Sequence, residues 1–192
     1  LNKGLYYYKI GENRKAISNF EKVIELDPDN TKAHNNVSNI LSEQGKYEDA
    51  ISYSKRAISI NPDDSESHYN IGVTFNLLGN LEEAISSFTK AIELNPSYAL
   101  AHHNLSYSFL NTGKLKEGLH EYEWRWKTEK GLSQQRYFSQ PLWDGKESLH
   151  GKRILLWSEQ GIGDTLNWSS CVSLLTSQAK HCIVECQEKL VP

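Results

Sequence analysis

Residues 65–96, SESHYNIGVTFNLLGNLEEAISSFTKAIELNP, read as two amphipathic helices and two stops. The first helix runs from Ser65 to Leu78, the second from Leu81 to Leu94, with Gly79-Asn80 between them and Asn95-Pro96 at the end. A glycine just past a helix takes the left-handed cap and a proline cannot continue a helix, so backbone chemistry sets both boundaries. Outward from this stretch the signals recur at a fixed distance. Pro28, Pro62 and Pro96 are 34 residues apart, as are Gly11, Gly45, Gly79 and Gly113, and Ala16, Ala50 and Ala84, with Gly118 in the fourth place. Such a period marks stacked helix pairs that share a continuous core. The small residue lies in the second helix, where a bulky side chain would hold the first helix away, and Phe75, Ile85 and Phe88 fill the rest of the interface.

The unit resembles the tetratricopeptide repeat, with Gly72, Phe75, Ala84, Phe88, Ala91 and Pro96 at the positions that family expects. Four units stand in register, over about 1–30, 31–64, 65–98 and 99–130, and the expected fold is mainly α, an α-α superhelix over 1–130. The fourth unit departs at Gly118, Arg125 and Lys130, where alanine, alanine and proline are usual, so its second helix is expected to run on through Glu121-Tyr-Glu-Trp-Arg-Trp126. Trp124 and Trp126 then fall on nearly opposite sides of that helix, one facing the solenoid.

The resemblance implies a concave face, lined by the first helix of each pair, that binds a protein or an extended peptide. Asn2, Asn36, Asn70 and Asn104 recur at the 34-residue period, and an amide can both donate to and accept from a peptide backbone of any sequence. A similar asparagine ladder lines the repeats of the protein O-linked N-acetylglucosamine transferases; bonding between neighbouring helices is the competing role. His34, His68 and His102 sit on separate helices roughly 10 Å apart, too far for a single metal whose nitrogen ligands lie about 2 Å away. Helix packing or solvent contact is expected of them, and no metal or cofactor is expected anywhere. Asn39, Val73 and Tyr107 stand where a carboxylate-clamping repeat would need charge or amide, which argues against recognition of chaperone C-termini.

Beyond residue 130 the pattern changes. All five tryptophans and all three cysteines lie in the last 69 residues, and Gly131 to Gly151 alternates turn formers with Tyr137, Phe138 and Trp143. Residues 131–150 read as an ordered aromatic connector packed on its neighbours. Arg153-Ile-Leu-Leu-Trp-Ser158 has the nearly continuous apolar run of a strand in a parallel sheet. A loop follows, then a helix from about Thr165 to Gln178, then a second strand at His181-Cys-Ile-Val-Glu-Cys186, making one β-α-β unit of a Rossmann-like layer over 151–192. Gly161 and Gly163 leave amides free at a helix N-terminus, but the dinucleotide fingerprint lacks its third glycine, Leu166 standing there.

From Tyr122 through Gln140-Pro-Leu-Trp-Asp-Gly145 to Gly151–Thr165 the chain is similar to bacterial tetratricopeptide proteins whose C-terminal domain resembles the heptosyltransferase (family 9) glycosyltransferases of the GT-B fold. That resemblance implies that Gly161, Gly163 and Thr165 line an anion or acceptor loop, and that Asp164 is the base that deprotonates an acceptor hydroxyl. A competing role for Asp164 is a helix N-cap, worth about 1 kcal/mol. A nucleotide sugar would be held only by the full-length protein, because its second Rossmann half is not present; Leu1 and the absence of methionine mark the sequence as a fragment, itself expected to be inactive. Ile154, Leu156, Trp157 and Ile183 are then expected to expose apolar surface. The alternative is a non-catalytic scaffold for protein-protein interaction.

Net charge is −3 at 38% hydrophobic composition, which excludes disordered and strongly nucleic-acid-seeking classes. No apolar run reaches the roughly 18 residues a bilayer requires, and there is no signal-peptide pattern, so no membrane association and a cytoplasmic location are expected. Cys171, Cys182 and Cys186, odd in number and without paired metal spacing, are expected to be reduced core thiols.

Overall fold

The computed structural model describes residues 1–134, 136–143, 145–157 and 172–185. It divides into two compact units, Leu1–Arg136 and Tyr137–Pro192.

The first unit consists of helix pairs: α1 (Asn2–Lys9) with α2 (Asn13–Leu26), α3 (Thr31–Glu43) with α4 (Tyr47–Ile60), α5 (Ser65–Leu78) with α6 (Leu81–Leu94), and α7 (Ala99–Asn111) with α8 (Leu115–Tyr122). The expected bounds of α5 and α6 are met to the residue. Gly79 caps α5 at φ +84°, a conformation that costs glycine little because it has no Cβ. Asn30 and Asp64 cap the starts of α3 and α5 by accepting the amides of Ala33 and Ser67, both at 3.1 Å.

The small residues do what their position predicts. Ala16, Ala50 and Ala84 are fully buried, and a Cβ added at Gly72 would lie 2.8 Å from the Phe88 ring. Phe20 and Phe88 are the largest enclosed side chains, each at the centre of a cluster bridging two repeats. Gly118 has a local cause. Leu110 stands at the register position held by Ser42 and Asn76, and an added Cβ at Gly118 would meet its Cγ at 2.7 Å. The larger leucine on one helix and the absent methyl on the other offset each other.

The fourth pair differs from expectation. Its second helix does not run on as an α-helix: α8 ends at Tyr122, a 3-10 segment follows at Glu123–Lys127, and α9 spans Glu129–Gln134. Side chains take the carbonyls that an α-helix would have used. Arg125 Nη1 donates to Tyr122 O at 3.2 Å, and Thr128 Oγ1 donates to Arg125 O at 2.7 Å while accepting the Gly131 amide in the first turn of α9. Trp124 faces the solenoid, stacked on His102 with ring centroids 3.7 Å apart and planes within 1°. Lys127 Nζ lies 3.5 Å from the Trp124 ring centroid.

In the second unit β1 (Arg153–Trp157) and β2 (His181–Glu185) pair in parallel, Arg153 opposite His181 and Trp157 opposite Glu185, and residues 172–178 are helical. The two strands are therefore as expected, although what is seen is a small two-stranded sheet rather than a Rossmann-like domain. Ile154, Leu156 and Trp157 are half-buried and Ile183 is 45% exposed. The aromatic connector is less enclosed than its composition suggests. Leu149 is buried and Phe138 packs near Trp157, but Tyr137 is 81% exposed and Leu142 87%. Trp143 is held through its polar edge, Nε1 donating to Glu147 O at 2.8 Å. Cys182 is a half-buried free thiol; Cys171 and Cys186 lie outside the described residues.

Candidate functional site

The first helices of successive pairs touch one another, α3 with α5 and α5 with α7, which sets them along the inner side of the array. Polar pairs at an offset of 32 residues tie these helices together. Ser67 Oγ donates to Asn35 Oδ1 at 3.0 Å, Thr74 Oγ1 to Ser42 Oγ at 3.3 Å, and Ser108 Oγ to Asn76 Oδ1 at 3.2 Å. Asn35 in turn donates to Asp64, the α5 cap, at 2.9 Å. An offset two short of the repeat period means that the residues meeting the preceding helix and those meeting the following one lie about 200° apart, on opposite faces of each inner helix. The 34-residue period does not display this offset, and the tied positions are not polar throughout, Ala33 and Ala101 standing in register with Ser67.

The four period-matched asparagines occupy four different environments. Asn2 is exposed at the start of α1. Asn36 is half-buried and turns its Nδ2 back to Lys32 O at 2.7 Å. Asn70 is 3% exposed, and among the described residues its Nδ2 has no acceptor. Asn104 donates to the Tyr69 hydroxyl at 3.0 Å. A buried amide N–H without an acceptor costs about 1–3 kcal/mol, so Asn70 carries an unmet donor within the packing of α5.

Aromatic rings gather in two groups on α5, α7 and the residues that flank them. Tyr69 lies 4.9 Å from Tyr98, and in the fourth pair Tyr107 lies 4.9 Å from His103 and 6.1 Å from Tyr122. Burial raises the pKa of Tyr69 and of Tyr98, the latter also through Tyr69, Glu66 and Asp64. His103 is lowered, first by burial and then by the cations Arg125 and Lys130. Glu66 is raised by burial and by Asp64, against the pull of Lys32. Carboxylates therefore act on the Tyr69–Tyr98 pair, and the cations Arg125 and Lys130, which follow α8, on His103.

The repeated histidines have a structural role. Nε2 of His34, His68 and His102 faces the carbonyl of Pro28, Pro62 and Pro96 at 3.0, 2.9 and 3.2 Å. Gly161, Gly163, Asp164 and Thr165 lie outside the described residues. Among the described residues no helix is long and apolar enough to cross a membrane.

Sequence models of the tetratricopeptide repeat match residues 1–65 and 65–98. No curated protein is significantly similar to the chain in sequence. Solved structures with the same fold include MamA (TM-score 0.59, 22% identity, 68% of this chain and 76% of that one) and TTC0263, a tetratricopeptide protein of Thermus thermophilus (TM-score 0.58, 23% identity, 66% and 71%). A third is the first tetratricopeptide domain of Spaghetti (RPAP3), solved with the HSP90 peptide SRMEEVD (TM-score 0.56, 25% identity, 58% of this chain and 89% of that one). With its paired helices, buried alanines and 34-residue register, the helical unit of this chain is a tetratricopeptide-repeat array.

Proposed function

We propose that the helical unit is a receptor for an extended peptide or partner segment, bound along the inner helices α3, α5 and α7. The observation that carries this reading is the run of α3, α5 and α7 along the inner side with Asn36, Asn70 and Asn104 at equivalent positions, of which Asn70 Nδ2 lacks an acceptor among the described residues and would meet a ligand by turning its amide outward. A main-chain carbonyl would satisfy it whatever side chain the peptide bears. The Spaghetti domain, solved with an HSP90 peptide, supports binding in this fold. Val73 and Tyr107, which offer neither cationic charge nor amide, argue for a ligand other than a chaperone tail.

The test is selection of peptides from a random display library on the purified chain, followed by calorimetry on Asn70→Ala, Asn36→Ala and Asn104→Ala. A tenfold or greater loss for Asn70→Ala at unchanged helicity is expected, equivalent to about 1.4 kcal/mol. Selected peptides that bind all three variants equally would refute the assignment.

For residues 151–192 the reading is the start of a glycosyltransferase-like domain, with Asp164 as base, Gly161, Gly163 and Thr165 as acceptor loop and a nucleotide sugar as the full-length protein's donor. The parallel pairing of β1 and β2 supports it, since parallel neighbours require a crossover of the β-α-β kind. The tetratricopeptide matches support the second reading, a scaffold for protein-protein interaction. Turnover of sugar nucleotides by the full-length protein, lost in Asp164→Asn with peptide binding retained, separates the two.

A further inference from the structure

The joints between successive repeats bring together equivalent positions 34 apart, and one joint is built differently. Where the third pair meets the fourth, Glu82 in α6 faces Lys114, with Oε1 and Nζ 3.5 Å apart. One repeat earlier the same positions hold Glu48 and Asn80, and one earlier still Arg14 and Lys46. The first joint thus has a cation where the other two have a carboxylate.

Arg14 and Lys46 line a single open cleft of about 560 Å³ together with Ile17, Ser18, Glu21 and Gln44. Among the described residues neither cation has an ion-pair partner. The neighbouring Lys15 is engaged by Glu12 at 3.3 Å. Glu21, the carboxylate of the cleft, accepts a bond from the Tyr53 hydroxyl at 3.5 Å. The cleft therefore carries two cations against one carboxylate, with a hydroxyl and a primary amide on the same wall.

We propose that this cleft binds an oxyanion, specifically the phosphate of a phosphate monoester. Such a group carries a charge of about −1.5 to −2 at neutral pH and presents three acceptor oxygens, against the two of a carboxylate, to the donors of a cleft whose two cations outweigh Glu21. The Arg14 guanidinium offers a planar fork of donors suited to two phosphate oxygens, Lys46 a compact charge, and Ser18 and Gln44 neutral donors. The cleft is many times the roughly 30 Å³ that a water molecule occupies, so it has room for the moiety that carries the phosphate, with Ile17 as an apolar contact.

The test is a titration of the chain at constant ionic strength with inorganic phosphate, phosphoserine, serine and acetate, followed by NMR at the amides of Ser18 and Gln44 and at Arg14 Nε–H. Saturable shifts confined to these groups are expected, with phosphoserine tighter than inorganic phosphate, and serine and acetate at least tenfold weaker. Arg14→Glu recreates the Glu82–Lys114 arrangement, so it should fold with unchanged or higher Tm and lose at least tenfold in phosphate affinity. Lys116→Glu makes the same charge change at the equivalent position of α8 and should leave affinity unaltered. Linear, dispersed shifts, equal binding of acetate, or equal losses in the two variants would overturn the proposal.

Discussion

His68 lies with Nε2 2.9 Å from the carbonyl oxygen of Pro62, six residues earlier, and the same bond recurs between His34 and Pro28 and between His102 and Pro96. A carbonyl can only accept, so the ring must carry its proton on Nε2. Each bond ties the loop that ends one helix pair to the first turns of the next helix. The expected outcome is an Nε2–H tautomer for His34 and His68 in long-range ¹⁵N spectra. Replacing His34 by Ala is expected to lower stability by about 1 kcal/mol, as for an ordinary hydrogen bond. An Nδ1–H tautomer would be the contrary result.

The Leu110–Gly118 contact predicts a coupled pair. Gly118→Ala alone forces a methyl against Leu110 and should destabilise by about 1–3 kcal/mol, even though alanine favours a helix. In a Leu110→Asn background, which copies Asn76 of the preceding repeat, the same change should be neutral or stabilising. A denaturant double-mutant cycle measures the difference, and additive effects would remove the contact as the reason for Gly118.

Glu66 is raised by burial and by Asp64, so the folded state holds its proton more tightly than the unfolded chain. Its contribution to stability is present below the unfolded pKa and is lost as pH rises through the folded one. Glu66→Gln should therefore raise Tm at pH 7, and the gain should vanish below about pH 4, where the native carboxyl is already neutral. Thermal melts of both proteins across that range provide the check.

His103 is the opposite case, lowered by burial and by Arg125 and Lys130. Its contribution is fully present above the unfolded pKa near 6.5 and is lost as pH falls through the lower folded value. An NMR titration should place the His103 midpoint below about 6.5, and Lys130→Gln should move it upward. An unchanged midpoint in that variant would show that burial and Arg125 act without it.

The helix pairs are legible in the sequence because glycine and proline punctuate them with backbone constraints that act locally, as at Gly79 and Pro96. The ties between pairs are less so. Asn35–Ser67, Ser42–Thr74 and Asn76–Ser108 join residues 32 apart, a separation that follows from the opposite faces each helix turns to its two neighbours and that no local rule supplies. The end of α8 at Tyr122 escapes helix periodicity, which does not register competition for carbonyls by Arg125 and Thr128. In the second unit, β-branched and apolar runs locate both strands. Ring content alone does not reveal that Tyr137 is exposed, since composition says what a segment is able to bury and not what stands beside it. The asparagines illustrate the same limit from the other side: their period is plain, but the three quite different fates of Asn36, Asn70 and Asn104 depend on neighbours one helical turn or about one repeat away.

The histidine–proline bonds and the serine–asparagine ties differ in what they join. The former close within a few residues, while the latter cross from one pair to the next. Pulled from its ends, such an array should yield stepwise: the cross-ties part first at a joint and free an intact helix pair, whose own loop remains fastened until a second, separate event. A cell handling this protein by mechanical extraction would then meet a series of small obstacles of similar size instead of one large one.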